Sequence, residues 1–272
     1  MLLADVSSSR ELLWNLTLRE LRGKYKRSAL GWAWSLLNPL STMAIYTFVF
    51  GVILPASTSI PAMPNGKKVF ALYLLCGLLP WNFMAQTTSV AMGSLVANGG
   101  LVKKVWFPRE VLVFATAASM LFSFLIEASL LTIALLVFGT MALPWLPVVL
   151  VLTLLLGCFA TGLALVLAAA NVYFRDLSYL WGIFLQLWFF ATPIVYPISL
   201  VAKRLGGSHA VLLALYRANP MAVFVETYRR ALYESRWPTV PQFGGLLVLS
   251  LAVLGLGLLI FARLSPRFAE EI

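Results

Sequence analysis

Histidine is almost missing from this sequence, cysteine is scarce and charge is thin. Of 272 residues one is histidine (His209), two are cysteines, and 11% are Lys, Arg, Asp or Glu. A membrane-embedded transferase would need His, Asp or Glu clustered at one face, and one histidine with scattered carboxylates offers no such cluster. Cys76 and Cys158 both lie inside apolar runs, so neither a disulfide nor a metal site is indicated. No GxxxxGK[ST] phosphate loop, HExxH or GxSxG occurs, so no catalytic residue is assigned and the chain carries no recognisable engine. Any uphill work draws on a partner or an ion gradient. No period of 20 to 50 residues recurs, which leaves out repeat architectures.

What is present is hydrocarbon. Hydrophobic residues make up 61% of the chain and the mean hydropathy is +0.91, values that no soluble globular domain shares. The length has room for about six spans of roughly 20 residues, so an all-α integral membrane protein of one domain, residues 1–272, is expected. The net charge of +10 suggests nucleic acid. However, the cations sit in short flanks of apolar runs, as positive-inside topology requires, so no nucleic-acid partner is expected. The N-terminal polar stretch is too long, and the apolar run after it too extended, for a signal peptide.

Residues 10–27 organise the rest. At 3.6 residues per turn Glu11, Asn15, Arg19, Arg22 and Lys26 fall on one stripe, with Leu12, Leu13, Leu16, Leu21 and Trp14 opposite and Glu20 intruding. Such a helix is expected to lie flat in the headgroup layer as an interface helix. Charges then stop from Ala29 until Lys67, so the basic block forms the cytoplasmic collar of a first span. Spans are expected at about 31–54, 69–92 (with Pro80 inside), 111–138, 147–170, 180–198 (with Pro193 and Pro197) and 243–262. A short amphipathic loop, 94–110, lies on the cytoplasmic side. Both termini fall on the cytoplasmic side, and twelve of the twenty Lys and Arg lie inside. Most of the misfit falls between Lys203 and Arg236, where two short helical patterns are broken by Asn219-Pro220. A re-entrant hairpin over 208–235, dipping into the outer leaflet, accounts for it. His209 is expected on the outer surface. Glu127, the only acidic residue deep in an expected span, reads as a hydrogen-bonded packing residue near Ser123 and Thr132. A proton-driven carrier would rest on it alone.

Four stretches carry a resemblance: Gly31-Trp32-Ala33-Trp34 with Asn38-Pro39; Asn98 to Glu110, ending KVWFPRE; Asn171-Val172-Tyr173-Phe174-Arg175-Asp176-Leu177 with Tyr179-Leu180; and Thr192-Pro193-Ile194-Val195-Tyr196-Pro197 with Asn219-Pro220-Met221 and Tyr228-Arg229. In this order they resemble the ABC-2 type permeases of polysaccharide export, which pass O-antigens, teichoic acids and other lipid-linked glycans across the bacterial inner membrane. Val113 stands where many members carry proline. The resemblance implies six spans, a homodimer, two separate ATP-binding-cassette subunits carrying ATP and Mg, and no cofactor in this chain. It implies a coupling helix in 94–110 and an outer gate in the hairpin.

Candidate residues follow from that resemblance. Asn98, Lys103, Lys104, Phe107, Pro108, Arg109, Glu110, Arg175 and Asp176 are expected to face the ATPase, the last pair also bonding each other. Arg22, Lys24, Lys26 and Arg27 suit a lipid pyrophosphate at the inner leaflet. Trp32, Trp34, Tyr46, Phe48, Trp81, Phe83, Tyr179, Trp181, Phe184, Trp188 and Tyr196 offer rings on which sugar faces slide. The competing readings are an ABC-2 permease for a drug or simple lipid and, further off, the embedded transferase.

Overall fold

The computed structural model describes residues 10–25, 34–53, 60–199, 214, 216 and 218–271, which are helical with no strand among them. In chain order the helices are α1 Arg10–Tyr25, α2 Trp34–Thr47, continued by a wider π-type turn over Phe48–Ile53, α3 Phe70–Ala97 and α4 Gly99–Lys104. They continue with α5 Glu110–Val137, α6 Leu146–Tyr173, α7 Leu177–Phe190, α8 Pro220–Leu232, α9 Val240–Leu264 and α10 Phe268–Glu271. Lys26, Arg27, Trp32 and residues 208–213, His209 included, lie outside the described residues.

Three helices are long and apolar enough to cross a membrane by length and composition: Glu110–Val137, Leu143–Tyr173 and Val240–Arg267. α3 matches α5 in length at 28 residues. It is more polar at its middle, where Asn82, Gln86, Thr87, Thr88 and Ser89 fall. α7 is only 14 residues long. Within the expected fifth span, 180–198, the helix stops at Phe190 and the backbone turns through Thr192 to Tyr196. Pro193 and Pro197 explain the stop, since neither donates an N–H and each biases its predecessor away from helix.

α3, α5, α6 and α9 form the bundle, with α6 in contact with α3, α5 and α9. Two apolar clusters stack along it. One holds the start of α3 and of α6, the later half of α5, Ile194 and Val195, and most of α8. The other joins Leu16 of α1, the end of α3, Val102 of α4, the start of α5, the end of α6, Phe261 of α9 and Phe268 of α10. Chain ends and the α4 loop thus share one end of the bundle, and α8 occupies the other.

Turns follow local chemistry. α5 ends on Gly139 at φ +89°, where its N–H bonds Leu136 O and the Thr140 N–H bonds Leu135 O. That pattern needs a left-handed residue, which glycine supplies. α6 and α9 meet backbone to backbone. A Cβ on Gly257 would lie 2.4 Å from Gly162 O, and one on Gly162 2.6 Å from Val253 O. Small residues let two helices approach this closely where apolar burial alone gives no preference over lipid.

α1 departs from the expected orientation. Its packed stripe is Leu13, Leu16, Thr17 and Leu21, set against α5, while Trp14 is 63% exposed. The i, i+3, i+4 spacing of that stripe also carries Lys24, whose Nζ donates to Ser123 Oγ of α5 at 3.1 Å. α1 thus packs along α5. The prediction concerns the glycine crossing. Gly257→Ala should destabilise the fold by about 1–3 kcal/mol through overpacking. Gly255→Ala on the same helix, whose Cβ would meet nothing within 4 Å, should not; thermal unfolding in detergent compares the two.

Candidate functional site

At the bundle end shared by α1, α4 and α10, Asn98 separates α3 from α4. Its carbonyl accepts from Leu101 N and Val102 N at 2.9 and 3.1 Å. Its side chain donates to Ser94 O at 2.8 Å and accepts from Arg19 at 2.7 Å. Asn98 is therefore a corner brace, tying α1 to the loop. Two glycines and a six-residue length make α4 weak by itself, so Val102, buried against Leu95 and Phe268, supplies its hold.

Beyond α4 the chain turns outward. Lys103 and Lys104 are exposed, Val105 is 52% exposed and Trp106 94%. Phe107, Pro108 and Arg109 are half-buried and Glu110 is buried in the first turn of α5, where a carboxylate suits the helix dipole. Arg109 donates to Ser265 O, fixing the loop to the end of α9. Nearby the α6–α7 turn presents Phe174, 67% exposed, with Arg175 and Asp176. The expected Arg175–Asp176 pair does not form: both are exposed and bear no ion pair among the described residues. Asp176 instead starts α7, its carbonyl accepting from Tyr179 N and Leu180 N.

Trp106 was read only as part of an amphipathic helix. Because α4 ends at Lys104, Trp106 falls after the helix and projects freely. The brace made by α10 was also missed. Phe268 is fully buried and edge-on to both Phe261, at 5.3 Å, and Tyr173, at 6.3 Å. Only the apolar Phe268 among four residues, FAEE, hints at it.

Of the cationic candidates, Arg22 is exposed and Lys24 bonds Ser123. Bonded to Ser123, Lys24 of α1 stands one helical turn from Glu127 along α5. Ser123 and Thr132 donate to Ser119 O and Ala128 O of their own helix.

The aromatics divide. Trp81 and Phe83 are 4% and 5% exposed, packed inside the core. Trp34, Phe48, Tyr179 and Phe184 are exposed, and the side chain of Tyr46 lies outside the described residues. Trp181 and Trp188 of α7 are half-buried: Trp181 donates to Thr88 at 3.2 Å and Trp188 meets Trp81 edge-on at 5.7 Å. α7 thus fastens one face to α3 and leaves Tyr179, Ile183, Leu187 and Phe190 open.

At the opposite end the break after α7 is clasped by α8. Asn219 caps α8, accepting from Met221 N at 3.0 Å, and Pro220 follows at the first helical position. The same amide accepts from Trp188 Nε1 at 2.8 Å and donates to Ala191 O and Thr192 Oγ1 at 3.0 and 3.1 Å. Tyr216 donates to Tyr196 at 3.0 Å. Tyr228 and Thr153 share a buried hydroxyl contact of 2.9 Å.

Residues 11–233 match the family described as ABC-2 type transporter. Over 274 residues the chain is 31% identical to the O-antigen export system permease protein RfbA of Myxococcus xanthus, covering 100% of this chain and 99% of the relative. A Klebsiella pneumoniae protein of the same name is 28% identical over 265 residues, 96% of this chain and 94% of its own. The polysialic acid transport protein KpsM of Escherichia coli is 25% identical over 257 residues, 90% of each chain.

The brace under α4 is testable. Removing a buried phenyl costs about 3–5 kcal/mol where the site cannot collapse. Phe268→Ala should therefore speed hydrogen exchange of the Leu101 to Val105 amides by about tenfold or more and leave the Val149 to Leu156 amides of α6, which pack in the other cluster, at wild-type rates. Unchanged exchange in α4 would place the brace elsewhere.

Proposed function

The chain belongs to the ABC-2 type transporter family, and from that premise we propose that it is the membrane permease subunit of an ATP-driven polysaccharide exporter. It moves a lipid-linked glycan from the cytoplasmic to the outer side of the bacterial inner membrane. The observation that carries this reading is the surface at the α4 end. Lys103, Lys104 and Trp106 stand exposed on a loop braced from α1, α5, α9 and α10, and Phe174 stands exposed on the α6–α7 turn. An almost fully exposed tryptophan between cations suits an apolar notch with an acidic rim on a partner, since rigid aromatics anchor interfaces. The partner is an ATP-binding-cassette subunit, which holds ATP and Mg and supplies the engine absent from this sequence.

The rest of the assembly follows. Six crossings comprise Trp34–Ile53, α3, α5, α6, α7 with the segment after it, and α9. Nine described cations, from Arg10 in α1 to Arg267 beside α10 and leaving out Lys24, which reaches Ser123 partway along α5, fall at the end shared by α1, α4 and α10. That supports a cytoplasmic location for this end and for both termini. Two copies pair with two ATPase subunits. The open faces of α2 and α7, with Trp34, Phe48, Tyr179 and Phe184, line the path between them, and Trp81 and Phe83 serve packing instead. Arg22, Lys26 and Arg27 remain the cations for the pyrophosphate, with Lys24 shared between it and Ser123.

Docking through the loop predicts uncoupling. Trp106→Ala, or Lys103→Glu with Lys104→Glu, should leave the permease inserted while glycan export per ATP hydrolysed falls by about tenfold or more, as for a truncated interface anchor. Reporter-tag topology, ATPase activity and surface glycan are measured in the same cells. Full coupled export in both variants would reject the docking role.

A further inference from the structure

One arginine sits where an arginine is hardest to keep. Arg229 of α8 is 4% exposed, and among the described residues no carboxylate lies within ion-pair distance of it. Its Nε donates to Tyr73 O of α3 at 3.2 Å, and its two terminal nitrogens donate to Pro193 O and Ile194 O. The guanidinium carbon lies 3.8 Å from the centre of the Tyr73 ring. Beneath it α3 carries Gly77, where a Cβ would come 2.8 Å from the guanidinium and 2.9 Å from Val225. The floor of α3 is hollowed to admit this one side chain.

The acceptors explain the cost of burying the charge. After Phe190 the fifth apolar segment stops being a helix, so the carbonyls of Pro193 and Ile194 lose the donors that a continuing helix would bring. In a hydrocarbon layer such groups must be satisfied by protein. Arg229 supplies them from another element, and its planar fork reaches three carbonyls at once, which a lysine ammonium on a flexible stem does not match. The ring of Tyr73 offsets part of the charge's desolvation. Asn219, one helix length earlier, holds Ala191 and Thr192 of the same break, and Tyr233 at the end of α8 accepts from Val69 N at 3.1 Å. Thus α8, α3 and the 191–194 segment converge on a single guanidinium.

We propose that Arg229 is the pin of the outer seal: a positioning residue whose guanidinium holds α8 and the broken end of the fifth segment against α3, closing the path between transport cycles. The proposal rests on the reading of this chain as an export permease. Its hydrogen bonds are all to backbone carbonyls, with no salt bridge among them. The joint can therefore part and re-form without leaving a bare carboxylate, and the wet outer face can satisfy both sides while it is open.

The test uses the full permease–ATPase complex in planar bilayers and compares wild type with Arg229→Lys and Arg229→Met. Losing charge-assisted hydrogen bonds should raise the open population, so ion conductance without ATP should rise about tenfold or more. The rise should be larger for Arg229→Met than for Arg229→Lys, with dimer and complex intact by size-exclusion. Assembled variants that stay as tight as wild type would overturn the proposal. Failure of both variants to assemble would also overturn it, because Arg229 would then be a folding residue. Where only Arg229→Lys assembles, its conductance decides. Surface glycan restored by the wild-type gene in a deletion strain tests the export reading separately, so the two can fail independently.

Discussion

A backbone carbonyl sealed from water must be bonded by protein, and this chain breaks its helix at the buried positions Thr192 to Val195. The stop at Phe190 leaves the carbonyls of Ala191, Pro193 and Ile194 to be bonded from another element, while Thr192 O accepts locally from Ile194 N. Asn219 and Arg229, both from α8, supply the donors. Much of the α8 end depends on that exchange. Gly77 clears room for the guanidinium, Tyr73 gives it a face, and Trp188 orients the Asn219 amide. A continuous span would need none of these, but it would also give the outer end of a transport path nothing able to move. Interrupted helices at membrane depth are tolerated where protein covers them, and here the covering is one short helix.

The opposite end is built on another logic. There the backbone is regular, but α4 is too short and too rich in glycine to stand alone, so it borrows rigidity from four neighbours. Leu16, Val102, Val111, Phe261 and Phe268 meet in one cluster, and Arg19 and Arg109 add hydrogen bonds to Asn98 and Ser265. This packing makes a firm platform from which Lys103, Lys104 and Trp106 project. The platform joins the end of α3 to the start of α5. The close glycine crossing of α6 on α9 supplies a stiff body for those helices to work against.

The long helices were legible because α5 and α6, each 28 residues long and predominantly apolar, admit few other readings. The interruption was half legible. Pro193, Pro197 and Asn219-Pro220 marked the breaks, and the surplus of cations between Lys203 and Arg236 marked something unusual. That Arg229 would turn inward to bond carbonyls 35 and 36 positions earlier was not legible, because only the fold brings those positions together. The same holds for Lys24 and Ser123, 99 residues apart. For α1, periodicity named a polar and an apolar arc but could not say which edge of the apolar arc would meet α5, so Trp14 was misassigned. Trp81 and Phe83 look no different in sequence from Tyr179 and Phe184; only packing separates core rings from open ones.

The central claim is that α8 is a moving seal on a bundle that otherwise keeps its shape. Distances between spin labels at Lys67→Cys and Glu226→Cys, in a complex whose Cys76 and Cys158 are replaced by alanine, address it directly. Both label sites are accessible, one in the loop before α3 and one on α8. The account predicts one short distance without nucleotide and a second, longer one that gains population when ATP and the glycan are both supplied. A single unchanged distance through every nucleotide state of a complex that is still exporting would contradict it.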